Sequence, residues 1–206
     1  MEISARNMAR LVSFIYQIEK DTYPEPPSNV HIDITNKVMD IILAKCLFPQ
    51  NAKILDVGCG QGPALDILKQ RGFCATGIAL NDKDIQVCQS KNHVALKMDQ
   101  SFMDFTDGWF DFVWARHVIE HSIFPYFTLS EFCRVLRPKG IMYMEVPAPE
   151  TSCHHEANPN HYSVLGHEAW VSLLKRSGFY LLDEPVFNFT TSLGPDVYWG
   201  FICMKN

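Results

Sequence analysis

Lys53-Ile-Leu-Asp-Val-Gly-Cys-Gly-Gln-Gly62, with Pro63 directly after it, is the stretch from which the fold is read. Ile54, Leu55 and Val57 predict a short buried strand, and Gly58, Gly60 and Gly62 predict a tight turn behind it. Pro63 suits the first turn of a helix, where its missing N–H would be unpaired anyway. Ala64, Leu65, Ile67 and Leu68 then give that helix an apolar face. A strand, a glycine turn and a helix N-terminus bring backbone N–H groups close to a ligand, with no β-carbon in the way.

Outward from this turn, strand and helix patterns alternate, which predicts a doubly wound, mostly parallel α/β sheet. Strands are predicted near 53–57, 74–79, 94–98, 110–115 and 139–146, and helices near 62–71, 82–90, 125–136 and 167–177. Two late strand patterns, 180–187 and 197–204, flank the turn signal Ser192-Leu-Gly-Pro-Asp196 without a helix between them, so they predict an antiparallel edge. Residues 1–50 form a helical extension, with helices predicted over 3–20 and 34–48 and a proline-rich loop at 21–28. This extension either covers the sheet or lies over the ligand as a lid, and Tyr16, Tyr23 and His31 are its substrate-facing candidates. Residues 51–206 form the ligand-binding domain.

The 206 residues suffice for one such domain with a substantial core. A net charge of −5 provides no basic stripe for a phosphate backbone, so nucleic acid is not expected as a partner. No apolar run approaches the ~18 residues of a membrane span. The N-terminus lacks a signal pattern. Seven cysteines, odd in number and without C-x-x-C spacing, predict reduced thiols and a cytoplasmic protein. A monomer or homodimer is expected.

The spacing of the glycines narrows the ligand. The dinucleotide fingerprint G-x-G-x-x-G needs its third glycine where Pro63 stands. Here Gly62 comes one residue early. The resulting pattern, Ile54-Leu55-Asp56-Val57-Gly58-Cys59-Gly60-Gln61-Gly62, resembles the first motif of class I S-adenosylmethionine-dependent methyltransferases. Further blocks keep that family's order. Asp99, Met103, Phe105, Asp107, Gly108, Phe110 and Asp111 match its linker, and Arg116-His-Val-Ile-Glu-His121 and Arg134-Val-Leu-Arg-Pro-Lys-Gly140 resemble its small-molecule branch, the ubiquinone-type and sugar methyltransferases. In the last block Lys139 stands where the branch has a glycine. The resemblance runs from about Lys53 to Pro147 and implies a Rossmann-like seven-stranded sheet with an antiparallel edge strand.

It also implies S-adenosyl-L-methionine as cofactor, S-adenosyl-L-homocysteine as product and methyl transfer to a small-molecule oxygen or nitrogen. The cofactor's carboxylate would take N–H groups near Gly58 and Gly60, in the turn that Cys59 and Gly62 complete, with Asp56 serving the ammonium. Leu80 would pack on the adenine, Asn81, Asp82, a backbone group or water would serve the ribose, and Asp99 with Gln100 would meet the adenine edge, although a helix N-cap is a rival role for Asp99. Arg116 is placed with these contacts, and its charge would also suit an anionic acceptor. One position departs from the family. A ribose-binding acid is expected ~20 positions past the first glycine, and Ala79 holds that place. A methyl group accepts no hydrogen bond, which keeps open an alternative reading as a nucleoside-binding protein without methyl transfer.

Methyl transfer from a sulfonium is an in-line displacement in which the protein aligns the acceptor and removes a proton where needed. His117 and His121 are candidate bases beside the fourth strand, and His154, His155 and His161 are rivals in the loop after the fifth. His154, His155, Glu156 and His161, with His167 beyond, also form a metal-like set. Their spacing matches no known ligand pattern, so the segment is read as an acceptor wall or as loop structure and no metal is assigned.

Overall fold

The computed structural model describes residues 4–18, 27–45, 49 and 51–206. Tyr23, Cys46 and the proline-rich loop up to Pro26 lie outside them. Two helices, α1 (Ala5–Ile18) and α2 (Asn29–Lys45), precede a sheet built from β1 (Ile54–Val57), β2 (Ala75–Ala79), β3 (Val94–Lys97), β4 (Phe110–Arg116) and β5 (Leu136–Pro147). Between these strands come α3 (Pro63–Gln70), α4 (Asp82–Ser90) and α5 (Pro125–Val135). The chain ends with α6 (His167–Arg176), β6 (Phe179–Asp183), β7 (Val186–Thr191) and β8 (Gly194–Lys205).

The strand order is β3-β2-β1-β4-β5-β8-β6, with β7 also pairing to β8. The first five strands are parallel, and β8 runs antiparallel to β5, β6 and β7. The seven-strand path is the one the sequence implies, and β7 is an addition to it. Pro185 cuts the expected 180–187 strand in two, and the Thr191–Gly194 hairpin starts β8 three residues before the predicted 197. The order reverses between β1 and β4, so a ligand crevice is expected beyond their carboxyl ends.

Both faces of the sheet are covered, which is why β4 reads as a continuous apolar run. Phe112 and Trp114 pack under Val38, Met39 and Ile42 of α2 and the apolar face of α3. Val113 and Ala115 face the opposite cluster with Leu129, Phe132, Trp170 and Leu174 of α5 and α6. The helix α2 starts earlier than predicted because the Ser28 hydroxyl accepts from His31 N at 3.1 Å, capping the helix there. Among the described residues, no helix is long and apolar enough to cross a membrane.

The sharp bend at the start of β5 carries a strained residue. Lys139 has φ +63°, and a β-carbon on the next residue, Gly140, would lie 2.8 Å from the Arg137 carbonyl oxygen. A side chain in left-handed backbone costs roughly 1–2 kcal/mol, partly offset by the flexibility glycine adds to the unfolded chain. Lys139→Gly is therefore expected to raise stability by about 1 kcal/mol in urea denaturation. A loss of stability would mean that the lysine makes compensating contacts.

Candidate functional site

A cleft opens beyond the carboxyl ends of β1, β2, β3 and β4, and Gly58, Gly60, Leu80, Asn81, Asp99 and Gln100 all border it. The glycine turn is wired differently from the simple expectation. Gly58 N and Cys59 N donate to the Ile78 carbonyl at 2.9 and 3.0 Å, and Gly62 N donates to Cys59 O at 2.8 Å. The Gly60 and Gln61 amides have no backbone acceptor among the described residues. A β-carbon at Gly60 would meet nothing within 4 Å, whereas one at Gly58 would strike Val118 Cγ2 at 2.6 Å. Gly58 is thus needed for close packing, and Gly60 leaves its space on the cleft side.

The polar atoms around this cleft are poised for a ligand. Asp84 Oδ1 and Gln100 Oε1 are buried without hydrogen-bond partners. Gln100 is held in place by donating from Nε2 to the Val118 carbonyl at 2.9 Å. Asp99 accepts from Ser101 N at 2.6 Å, and burial raises its pKa against those hydrogen bonds. Burial likewise raises the Asp84 carboxyl. Apolar walls come from Ile78, Ala79, Leu80, Met98 and Phe102. Unpaired acceptors, unpaired amides and an apolar slot together suit a nucleoside with an amino-acid tail. Asp84 was not singled out in the sequence. The signal was there: Asn81 Oδ1 accepts from Lys83 N and Asp84 N as the N-cap of α4, which holds Asp84 in that helix's first turn, beside the cleft.

Several expected contacts lie elsewhere. Asp56 is buried in β1 and does not border the cleft; burial, with Cys88 nearby, raises its carboxyl well above the usual range. Cys59 packs beneath Gly77, and Gly62 serves as the left-handed cap of α3. Arg116 shares its strand face with Phe112 and Trp114, since alternate strand residues point the same way. It therefore points toward α2, where Nη1 lies 3.2 Å from Thr35 Oγ1 and 3.4 Å from His31 Nε2. His31 is consequently not a cleft residue, and burial, with the Arg116 and His117 charges, lowers its pKa to about 4. Tyr16 is exposed, and Ile15 is the α1 residue that borders the cleft.

The turn after β4 borders the same cleft through His117, Val118 and His121. His117 has φ +52° and sits between two buried carboxylates, with Nδ1 3.3 Å from Glu120 Oε1 and Nε2 2.9 Å from Glu145 Oε1. Arg116 Nε approaches the same Glu145 oxygen at 2.6 Å. Neither approach to Glu145 Oε1 is aligned as a hydrogen bond, so these are ion pairs in character. Burial and Arg116 pull the His117 pKa down, but the two carboxylates outweigh them and hold it above the ordinary value. With both nitrogens facing carboxylates, His117 has no lone pair for an acceptor, and the base role expected of it is withdrawn. His121 differs. Its Nδ1 donates to the Asn160 carbonyl at 2.9 Å, because a carbonyl only accepts, and this leaves Nε2 as the ring's acceptor.

The loop after β5 does not gather the set that its sequence suggests. His154 is exposed and faces Glu156 at 3.6 Å. His155 Nε2 lies 3.0 Å from both Asp196 oxygens, tying the loop to β8. His167 pairs with Glu184 at 3.1 Å. His161 instead stands edge-on to His121, with ring centroids 4.8 Å apart, and its Nδ1 lies 2.9 Å from the His155 carbonyl oxygen. Burial, foremost, lowers the His161 pKa. His154 is therefore not at the site, while Asn160 and Tyr162 border the cleft.

Comparison with known proteins agrees with this geometry. Residues 31–184 match the methyltransferase domain family. Sterol 24-C-methyltransferase erg6 of Schizosaccharomyces pombe is 29% identical over 175 residues, covering 73% of this chain and 45% of that protein. The 27-O-demethylrifamycin SV methyltransferase of Amycolatopsis mediterranei is 25% identical over 130 residues, covering 57% and 48%. The chain thus spans about half the length of these curated relatives. A SAM-dependent methyltransferase from Archaeoglobus fulgidus superposes with a TM-score of 0.70 at 20% identity, over 84% of this chain and 94% of that one, and so shares the fold.

Proposed function

This chain belongs to the methyltransferase-domain family, and from that premise we propose that its cleft binds S-adenosylmethionine and directs methyl transfer to an oxygen or nitrogen of a small molecule beside His121. The observation that carries the reading is the convergence of the open Gly60 position with its free amide, Asp84 Oδ1 and Gln100 Oε1 on one cleft, with the Gln61 amide next in the chain. When bound, the cofactor supplies a sulfonium methyl that transfers by in-line displacement and leaves S-adenosylhomocysteine. The Gly60 and Gln61 amides hold the carboxylate of its tail, as backbone donors at a helix start do. Leu80, Met98 and Phe102 enclose the adenine, and Gln100 offers its orphaned oxygen to the amino group. Asp84 supplies the carboxylate that Ala79 lacks for the ribose.

His121 defines the acceptor end, and α1 lies over the cleft through Ile15, as a lid that excludes water from the displacement. The six described cysteines are all free, which suits a reducing cytoplasmic setting. The sterol relative's name favours carbon as a second acceptor class. Incubation with methyl-labelled cofactor and a panel of hydroxyl, amine and alkene acceptors separates the readings. Label on oxygen or nitrogen is expected. Label only on alkene carbon would support the second reading, and cofactor binding without transfer to any class would support a nucleoside-binding protein. Asp84→Ala is expected to weaken S-adenosylhomocysteine binding by about tenfold to a hundredfold, the effect of leaving 1–3 kcal/mol of hydrogen bonding unmade. Unchanged calorimetric affinity would return the ribose to Asn81 or to backbone groups.

A further inference from the structure

We propose that Glu120, His121 and His161 form a site for a divalent first-row transition metal at the acceptor end of the cleft, with coordination positions left open toward the substrate. A carboxylate oxygen of Glu120 and one ring nitrogen from each histidine lie within 4.8 Å of one another. Ligands of a four-coordinate zinc ion stand roughly 3.4 Å apart, so a closure of about 1 Å would complete the site. The loop that brings His161 here is stitched to the turn carrying the other two. Ser163 N donates to Glu120 O at 2.9 Å, Ser163 Oγ donates to Ser122 O at 2.6 Å, and His121 Nδ1 donates to Asn160 O at 2.9 Å.

The ligand atoms are also prepared individually. His121 and His161 each present Nδ1 to a backbone carbonyl, an arrangement that fixes the tautomer and leaves Nε2 to bind. Glu120 is 1% exposed, holds one oxygen toward His117 at 3.3 Å and leaves Oε2 without a partner. A buried carboxylate oxygen with nothing to accept from is costly unless a proton or a cation meets it. Two imidazoles and one carboxylate suit zinc, iron, manganese or cobalt better than magnesium or calcium, which prefer all-oxygen shells. Because His121 borders the cleft, the open positions would take an acceptor oxygen. That last role rests on the methyl-transfer reading; the metal site itself does not.

The test therefore reads metal binding alone. Purified protein is treated with chelator, dialysed and titrated with Co²⁺ while the visible d–d bands are followed, with no cofactor or acceptor present. One equivalent per chain is expected, displaced by Zn²⁺. His121→Ala and His161→Asn should each weaken binding by more than the ten- to hundredfold lost when only a supporting partner is removed. Thermal unfolding of both variants, made separately, identifies those that keep the fold. Cys153→Ser, in the neighbouring Cys153, His155 and Asp196 group, should leave binding intact. Absence of one-to-one binding, or binding that survives both histidine substitutions, would overturn the site. Methyl transfer beside His121 would remain open to test by itself.

Discussion

Glu145→Ala is expected to destabilise the folded chain by about 3–5 kcal/mol, the cost of leaving buried charge without its partner. Glu145 is fully buried on β5 and serves three neighbours at once. Arg116 and His117 approach one oxygen, and the Tyr143 hydroxyl donates to the other at 2.5 Å. Without the carboxylate, the Arg116 guanidinium keeps only the Thr35 hydroxyl and the His31 ring, and the left-handed turn at His117 loses a side-chain anchor. Arg116→Met alone should cost a similar amount because it leaves Glu145 short of positive charge. The double variant Arg116→Met/Glu145→Met should recover part of the loss, since removing both charges avoids the unpaired state. Urea denaturation of the three variants gives the comparison. A loss below about 1 kcal/mol for Glu145→Ala would mean that water reaches Arg116.

Gly60→Glu is expected to leave the fold standing and to abolish cofactor binding. Gly60 has φ +48°, so any side chain there costs roughly 1–2 kcal/mol, which a domain of this size tolerates. A β-carbon there meets no atom within 4 Å, so the side chain starts from open space. It would occupy the place assigned to the amino-acid tail and set a second carboxylate against the first. Affinity for S-adenosylhomocysteine should fall by more than about a hundredfold, equivalent to roughly 2.7 kcal/mol. Micromolar binding by a folded Gly60→Glu variant would place the tail of the ligand somewhere else.

Much of the fold was legible because its signals are local. The Ile54–Gly62 stretch and Pro63 specify strand, turn and helix within a dozen residues, and β4 declares its burial by carrying apolar residues on both faces. The elements that differ from the sequence pattern depend on single capping or breaking residues. Ser28 sets the start of α2, and Pro185 makes two strands from one pattern.

The site was legible only where the chain itself converges. Residues on the strand ends, such as Leu80, Asn81, Asp99 and Gln100, reach the cleft because the topology delivers the carboxyl ends of β1 to β4 to it. Arg116 shows the limit. Its neighbour His117 borders the cleft, but strand alternation turns Arg116 toward α2. The histidine-rich loop shows a second limit. His154, His155 and His161 are close in sequence, yet hydrogen bonds to Asp196, the His155 carbonyl and the Glu120 backbone send them to different places. No spacing rule within the loop contains the residues of the β4 turn that His161 meets.

The central claim is that this cleft recognises a sulfonium nucleoside by its amino-acid tail and adenine. Isothermal titration of the full chain with S-adenosylhomocysteine, alongside NAD, tests it directly. One-to-one binding of S-adenosylhomocysteine on the order of micromolar, with no heat from NAD, is the predicted result. Heat from NAD alone, or from neither ligand, would contradict it.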